Sequence, residues 1–165
     1  MTQAWEHRPI TVYADQKLSD MEISQLKEAI NAWNSTRFGT FFTYGGKKPS
    51  FITSSYPNAI GVTKAAFYNS PETVDGIGRT LITVSNSTGR PVKVTITFNT
   101  NCTYTNNSTV SGEFYLKSVL MHELFHALGF SNDEHSLNPN SFFNAKYTGK
   151  TGFLESDLSL IDELY

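Results

Sequence analysis

The chain has a single cysteine, little charge of either sign and no long apolar run. Because Cys102 stands alone among 165 residues, an internal disulfide and a zinc site built on pairs of cysteines are both excluded. The 13 Lys and Arg residues are balanced by 15 Asp and Glu residues, so no basic surface is expected to bind a nucleic acid. No run of about 18 apolar residues could span a membrane, and the N-terminal residues lack the apolar segment of a secretory signal peptide. We therefore expect neither a nucleic-acid nor a membrane partner.

What the chain does contain is enough apolar sequence for one core. Hydrophobic residues make up 39% and charged residues 17% of the sequence, which suits a single domain over 1–165. No repeat or linker interrupts it. The polar stretch 101–112 is expected to form an exposed loop. We expect the domain to be monomeric.

The first part of the chain alternates between strand and helix signals. Residues 10–14 are rich in β-branched and aromatic side chains and predict a strand. Ser19 and Glu22 have the spacing of a capping box, which predicts the start of a helix that Phe38-Gly39 closes. The apolar stripe of this helix comprises Ile23, Leu26, Ile30 and Trp33. A short strand at 41–44 would then pair in parallel with the first.

The rest of the chain adds further strands and two helices. Strands are predicted at residues 60–67, 81–85 and 92–98. The last two are joined by a short turn and should therefore be antiparallel. A second helix is predicted from residue 113 to residue 128, where Gly129 stops it, and a third near the C-terminus. The expected fold class is α/β (α+β), with a twisted, mostly parallel sheet of about five strands, one antiparallel edge strand and two long helices.

The second helix carries a pattern typical of a metal site, His122-Glu123-Leu124-Phe125-His126. Histidines four positions apart lie on one helix face, so His122 and His126 can bind the same ion, with Glu123 beside them. A catalytic zinc ion needs a third protein ligand and one open position, and after Gly129 the chain can turn back to offer His135. The alternative is a helix with two histidines that are solvated or packed and bind no metal.

Beyond this motif, the chain resembles a known family at several separated places. His122-Glu123-x-x-His126-x-x-Gly129 resembles the zinc signature of the metzincins. The segment that begins at His135-Ser136 and continues through Asn138-Pro139 and Ser141-Phe142-Phe143 to Tyr147 resembles the matrixin branch of these enzymes. Residues 8–13 and 154–165 are similar to the first strand and the last helix of that branch. The chain thus resembles the catalytic domain of a matrixin-like metzincin, a zinc metallopeptidase.

The resemblance implies a fold, an activity and a location of the protein. The fold would be a zincin, with an N-terminal subdomain over 1–129 that contains the active-site helix and a small C-terminal subdomain over 130–165 that ends in the third helix. The activity would be zinc-dependent endopeptidase hydrolysis of protein or peptide substrates, with one catalytic zinc ion per chain; structural Ca²⁺ is left open. The resemblance also implies a secreted, extracellular protein.

The core of the predicted site takes its roles from the resemblance. His122, His126 and His135 would hold the zinc ion. Glu123 would take a proton from the zinc-activated water and pass it to the leaving amine. Gly129 would have a structural role in the turn after the helix.

Four further residues complete the predicted site. Tyr147, Phe142 and Phe143 would line the pocket for the substrate residue just after the scissile bond, although Tyr147 could equally be an ordinary packed aromatic. This apolar lining predicts cleavage on the amino side of Leu, Ile, Phe or Met. Asp157 would be the family's buried carboxylate beneath the active-site turn, and the alternative is an exposed helix charge.

Two departures from the family pattern keep alternatives open. The family's third His lies three residues after the Gly, where this chain has Asn132, and the matching His135 comes three residues later. Asp133 is therefore a rival ligand. The family has Met below the metal where this chain has Phe143. These departures motivate a second hypothesis, a zincin-fold binding or adhesion domain with little or no catalytic activity, although such a domain has no need of Glu123. A third hypothesis is a soluble domain with a fortuitous motif.

Overall fold

A five-stranded sheet forms the scaffold of the domain. The structure, a computed structural model, describes residues 3–49, 58–67 and 76–165. The sheet comprises β1 (Ile10–Asp15), β2 (Phe42–Lys48), β3 (Ala59–Ala65), β4 (Gly78–Val84) and β5 (Pro91–Asn99). They lie in the order β2-β1-β3-β5-β4, and each neighbouring pair is parallel except β4 and β5. The predicted fold class, a mostly parallel sheet with one antiparallel edge strand, is confirmed.

In the described residues three α-helices complete the fold: α1 (Asp20–Asn34), α2 (Leu116–Ala127) and α3 (Glu155–Leu164). Helix α2 begins later than the predicted residue 113, because residues 114 and 115 form a short strand. The predicted capping box begins α1. Ser19 Oγ accepts a hydrogen bond from the Glu22 N–H at 3.2 Å, and the Glu22 carboxylate accepts one from the Ser19 N–H at 3.3 Å. The backbone N–H groups at the start of a helix have no acceptor within it. The two side chains supply acceptors for the N–H groups of Ser19 and Glu22.

Helix α1 ends at Asn34, earlier than the predicted end at Phe38-Gly39. The Asn34 side-chain oxygen accepts hydrogen bonds from the N–H groups of Phe41 and Phe42, at 2.9 and 3.0 Å. Its amide group donates to the Phe42 carbonyl at 2.7 Å. Asparagine side chains that form hydrogen bonds with the backbone offer it an alternative to the hydrogen bonds of a helix, which favours the end of a helix at such a residue. Asn34 therefore fixes the start of β2 beside the end of α1.

Aromatic residues fill the space where α1 meets α2. Trp33 of α1 is fully buried, and its indole N–H donates to the Met121 carbonyl of α2 at 3.3 Å. The Trp33 ring contacts Phe125, Phe142 and Phe153 with centroids 5.5, 5.9 and 4.8 Å away. Each such pair adds about 0.5–1.5 kcal/mol beyond its area burial. This cluster holds α2, which carries the candidate metal ligands, in place against α1.

Residues near both ends of the chain contact the last turn of α2. The Trp5 indole N–H donates to the Ala127 carbonyl at 2.8 Å, and the Tyr165 hydroxyl donates to the Leu128 carbonyl at 2.8 Å. The Trp5 backbone N–H also donates to the Tyr165 hydroxyl at 3.4 Å. The last carbonyls of a helix have no partner within it, so these side chains satisfy acceptors that would otherwise need water.

The polar segment 101–112 contains a short strand that the sequence does not predict. Strand β6 (Tyr104–Thr105) pairs with β7 (Phe114–Tyr115), directly before α2. The Tyr104 ring packs edge-on against Phe98 with centroids 5.3 Å apart, and its hydroxyl donates to the Asn99 carbonyl at 2.9 Å. One aromatic side chain anchored to β5 therefore orders part of a segment whose composition is that of an exposed loop.

The region after α2 has less regular structure. It contains a short 3-10 helix (Asn132–Glu134) and α3. The division of the chain into subdomains 1–129 and 130–165 stays a prediction. In the part of the chain that the structure describes, no helix combines the length and the apolar character needed to cross a membrane.

Candidate active site

Three histidine side chains converge beside α2. Successive turns of this helix carry His122 and His126 on one face, and their Nε2 atoms lie 3.1 Å apart. The Nε2 atom of His135 lies 3.1 Å from that of His122 and 3.2 Å from that of His126. Among the described residues, this is the one group of three or more His, Cys, Asp or Glu side chains close enough to share an ion. The structure thus brings together the three predicted ligands and leaves Asp133 outside the cluster.

The hydrogen bonds of two imidazole rings fix which nitrogen faces the cluster. His122 Nδ1 donates to the Phe142 carbonyl at 3.0 Å, and His126 Nδ1 donates to the Phe130 carbonyl at 2.7 Å. Because a carbonyl can only accept, both rings carry a proton on Nδ1 and direct Nε2 toward the other histidines. Burial lowers the pKa of His122 well below its usual value, and the neighbouring His126 and His135 lower it further. A neutral imidazole is the form that binds a metal ion.

The donor set and its spacing suit a tetrahedral zinc ion. Nitrogens bound to zinc at about 2.0–2.1 Å with tetrahedral angles lie about 3.3 Å apart. The Nε2 atoms here are 3.1–3.2 Å apart. Three imidazoles leave a fourth position open, which distinguishes catalytic zinc sites from structural ones. His122, His126 and His135 would hold the ion.

The turn after α2 explains how the third histidine reaches the cluster. Gly129 has a φ of 116°, a conformation that favours glycine, and its N–H donates to the His126 carbonyl at 2.9 Å. The 3-10 helix Asn132–Glu134 then occupies the residues that separate His135 from the usual family position. Its capping box includes a bond from the Ser131 backbone N–H to the Glu134 carboxylate at 2.5 Å, and Ser131 Oγ also donates to that carboxylate at 3.0 Å. The longer spacing is therefore accommodated by one helical turn, and His135 still reaches the other ligands.

An aromatic ring lies where the matrixin pattern has methionine. Phe143 is fully buried, and its ring centroid is 5.0 Å from that of each of His122, His126 and His135. It also stacks on Phe125 at a centroid distance of 3.8 Å. All three candidate ligands thus contact one ring, and a second ring from α2 supports it.

A buried carboxylate links α3 to the segment that carries Phe143. Asp157 is fully buried; its Oδ1 accepts from Ser141 Oγ at 2.7 Å and its Oδ2 accepts from the Leu154 N–H at 3.0 Å. Ser141 Oγ in turn accepts from the Phe143 N–H at 2.9 Å. Burial raises the pKa of Asp157, and the bonds from Ser141 and Leu154 oppose that rise. The side chain therefore lies beneath the site and is not an exposed helix charge.

Glu123 is buried between α2 and the edge strand β4. It is 1% exposed, and its Oε2 accepts a hydrogen bond from Thr80 Oγ1 at 2.6 Å. Gly78 of the same strand lies so close that a Cβ atom there would be 2.7 Å from Glu123 Oε1. Sequence reasoning missed Gly78 and Thr80 because neither residue type marks a site, and Thr80 is 43 positions from Glu123. Both precede the predicted strand at 81–85, whereas β4 begins at Gly78, so no signal in the sequence marks them.

Two cavities border the histidine cluster. The first, of about 740 Å³, borders Glu123 and His126 and is also lined by Arg79, Ile82 and Asn132. The second, of about 660 Å³, borders His135 and is also lined by Leu137, Ala145 and Tyr147. Each cavity thus offers space beside at least one of the three histidines.

The three residues predicted to contact substrate lie in different surroundings. Tyr147 lines the cavity beside His135, and its hydroxyl accepts a hydrogen bond from the Tyr115 N–H at 2.6 Å. Phe142 and Phe143 are 2% and 0% exposed and pack in the core, next to the histidines. Substrate contact by Tyr147, Phe142 and Phe143 stays a prediction.

High choriolytic enzyme 1 (HCE-1), a hatching enzyme zinc-protease from Oryzias latipes (Medaka fish), is among the solved structures that the chain matches. The two are 15% identical, with a TM-score of 0.41. The match covers 79% of this chain and 50% of that one, so the chain spans half the length of that enzyme. No curated protein sequence matches the chain.

The family comparison spans almost the whole chain. The model of the peptidase M10 family, described as matrixin, matches residues 4–165. The matched region contains α2, the turn at Gly129, His135 and the buried Asp157. With a match of this extent, the chain belongs to the matrixin family of zinc metallopeptidases.

Proposed function

We propose that this chain is a zinc-dependent endopeptidase in which Glu123 is the general base. The observation that carries the proposal is the convergence of three imidazole Nε2 atoms within 3.2 Å of one another, next to the buried Glu123. Membership of the matrixin family supports both the metal and the substrate class, proteins or peptides. One zinc ion per chain is expected, held by His122, His126 and His135.

Each group of the site has a distinct chemical task in this proposal. When bound, zinc supplies Lewis-acid activation of water and of the scissile carbonyl group. Glu123 accepts the proton of the attacking water and donates it to the leaving amine, so it acts first as a base and then as an acid. The carbonyls of Phe142 and Phe130 hold the His122 and His126 rings in the tautomer that presents Nε2.

The edge strand β4 is proposed to bind the substrate as an added strand. In the described sheet β4 is an outer strand that pairs with β5, so its other edge can form main-chain hydrogen bonds with an extended peptide. The strand is adjacent to the catalytic residues, because Thr80 bonds to Glu123. Leu81, which is 71% exposed, offers apolar contact on the same strand. Main-chain recognition would let the enzyme cleave unfolded segments of varied sequence.

The cavity beside His135 supports a preference for an apolar residue just after the scissile bond. Leu137, Ala145 and Tyr147 contribute apolar surface to this cavity, and Lys146 contributes one charge. Burying a leucine-sized side chain is worth about 1.5–3 kcal/mol, whereas a charged side chain would lose its hydration there. Cleavage before Leu, Ile, Phe or Met is therefore proposed. An extracellular location is proposed on family membership alone.

Metal analysis and a protease assay test the proposal together. The purified protein should hold about one zinc ion per chain and should cleave denatured casein, with activity that chelators abolish and zinc restores. Glu123→Gln should keep the zinc and the fold and lose at least about 100-fold in rate. The matched control is Glu163→Gln, at an exposed position of α3, which should retain full activity.

Three outcomes would contradict parts of the proposal. A protein without zinc would support the fortuitous motif. A zinc-loaded protein that cleaves no denatured protein would favour the binding or adhesion domain. Cleavage that survives Glu123→Gln at the full rate would refute the assignment of the base while leaving the metal site intact.

A further inference from the structure

Both carboxylate oxygens of Glu123 lie against strand β4. Thr80 Oγ1 donates to Oε2 at 2.6 Å, and a Cβ atom added at Gly78 would lie 2.7 Å from Oε1 and 2.9 Å from Cγ. Gly78 and Thr80 are two positions apart and so belong to the same face of the strand. Glu123 is 1% exposed although it borders the first cavity, so contacts with this face of β4 cover part of its carboxylate.

The hydroxyl of Thr80 is placed to hold the carboxylate in one orientation. Its single hydrogen has two acceptors on Glu123, Oε2 at 2.6 Å and the main-chain carbonyl at 3.1 Å. The shorter contact has the length of a charge-assisted O–H···O⁻ bond, which is roughly twice as strong as a neutral one. A glutamate side chain has several rotatable bonds, and such a bond restricts them.

Gly78 contributes space beside this hydrogen bond. The backbone of Gly78 is outside the left-handed region, so no conformational requirement explains the glycine. A Cβ atom at 2.7 Å from a carboxylate oxygen is closer than packed atoms tolerate, so any other residue would displace the Glu123 side chain. The glycine therefore allows β4 and Glu123 to approach each other.

We infer that Thr80 is a positioning residue for the catalytic base and that Gly78 provides the space in which that base is held. The inference rests on the proposed role of Glu123 in proton transfer. Thr80 acts through Glu123, by fixing the carboxylate at one place beside the histidine cluster. Because the same strand is proposed to bind the substrate, one strand would position both the catalytic base and the scissile peptide bond.

Substitutions at Thr80 test the inference through the separation of kcat from KM. Thr80→Val keeps the shape and removes the hydroxyl, so kcat should fall about 10-fold or more while KM changes less than about twofold. Thr80→Ser keeps a hydroxyl and should hold kcat within about threefold of the wild type. The matched control is Thr97→Val, a half-buried threonine of the neighbouring strand β5, which should change neither constant.

A substitution at Gly78 tests the steric half of the inference. Gly78→Ala should lower kcat as Thr80→Val does, because the added methyl group displaces the carboxylate. Its control is Gly152→Ala, since a Cβ atom at Gly152 meets nothing within 4 Å. The zinc content of each variant should equal that of the wild type, which separates a misplaced base from a lost metal.

Crystal structures of the metal-free wild type and the metal-free Thr80→Val variant give a readout that does not depend on turnover. The Glu123 carboxylate should leave its wild-type position in the variant. A wild-type kcat in Thr80→Val overturns the inference, whether or not the carboxylate moves. If Glu123→Gln is inactive while Thr80→Val and Gly78→Ala are fully active, the inference fails and the proposed base stands. If Glu123→Gln is fully active, the proposed base itself is wrong, and the inference falls with it.

Discussion

Replacing Phe143 with alanine removes the ring that all three candidate zinc ligands contact. Phe143 is fully buried and stacks on Phe125 at 3.8 Å, so the surrounding core can fill only part of the space that the ring leaves. Buried Phe→Ala substitutions cost about 3–5 kcal/mol, and the lost aromatic contacts place this one in the upper part of the range. A domain has a total stability of about 5–15 kcal/mol, so Phe143→Ala should remove a large share of it.

Urea unfolding of the metal-free protein measures this loss without the contribution of bound zinc. With an m-value of about 2 kcal/mol/M, a loss of about 4–5 kcal/mol lowers the midpoint by about 2–2.5 M. Phe143→Met refills most of the space and should cost less than about 1.5 kcal/mol. Phe38→Ala is the control, because that ring is only half-buried and should cost about 1–2 kcal/mol.

The same variants report on the metal centre through zinc titrations. Since Phe143 contacts each ligand ring, Phe143→Ala should weaken zinc binding about 10-fold, whereas Phe143→Met should bind zinc nearly as the wild type does. An unfolding free energy of Phe143→Ala within about 1 kcal/mol of the wild type would refute the role given to this ring.

Three further sets of substitutions test other contacts of the site. His135→Ala should weaken zinc binding by more than about 100-fold and Asp133→Ala should leave it unchanged; the reverse result in a zinc titration would show that the ligand assignment is wrong. Asp157→Asn offers one acceptor oxygen where two are used, so urea unfolding should show a loss of about 1–3 kcal/mol, and an unchanged midpoint would contradict this account. Tyr147→Phe removes the acceptor that the Tyr115 N–H reaches at 2.6 Å. It should cost about 1–2 kcal/mol in thermal unfolding, and an equal melting temperature would mean that this hydrogen bond contributes nothing.

Features that depend on neighbouring residues could be predicted from the sequence. The capping box at Ser19 and the shared helix face of His122 and His126 each follow from contacts within one turn of a helix. The turn at Gly129 follows from the conformational freedom of one residue. His135 could be predicted as well, because that turn returns the chain toward the helix it has just left.

Features that depend on contacts between distant segments could not be predicted. The end of α1 depends on the bonds from Asn34 to β2, and β6 depends on the packing of Tyr104 against β5. The placement of the Glu123 carboxylate depends on Thr80, 43 positions away. The apolar character of Phe143 is evident in the sequence, but whether its ring faces the core or a cavity depends on the fold around it.

The contacts of Trp5 and Tyr165 with α2 join two distant segments of the chain and the helix of the candidate metal ligands into one cooperative unit. If either side chain detaches, the carbonyl of Ala127 or Leu128 loses its bond, and the helix can fray from the end nearest His126. The backbone amides of this helix end should therefore exchange with solvent in step with those of the two terminal segments. A cleavage that releases the segment containing Trp5 or the one containing Tyr165 should thereby loosen the candidate zinc ligands without a cut near them.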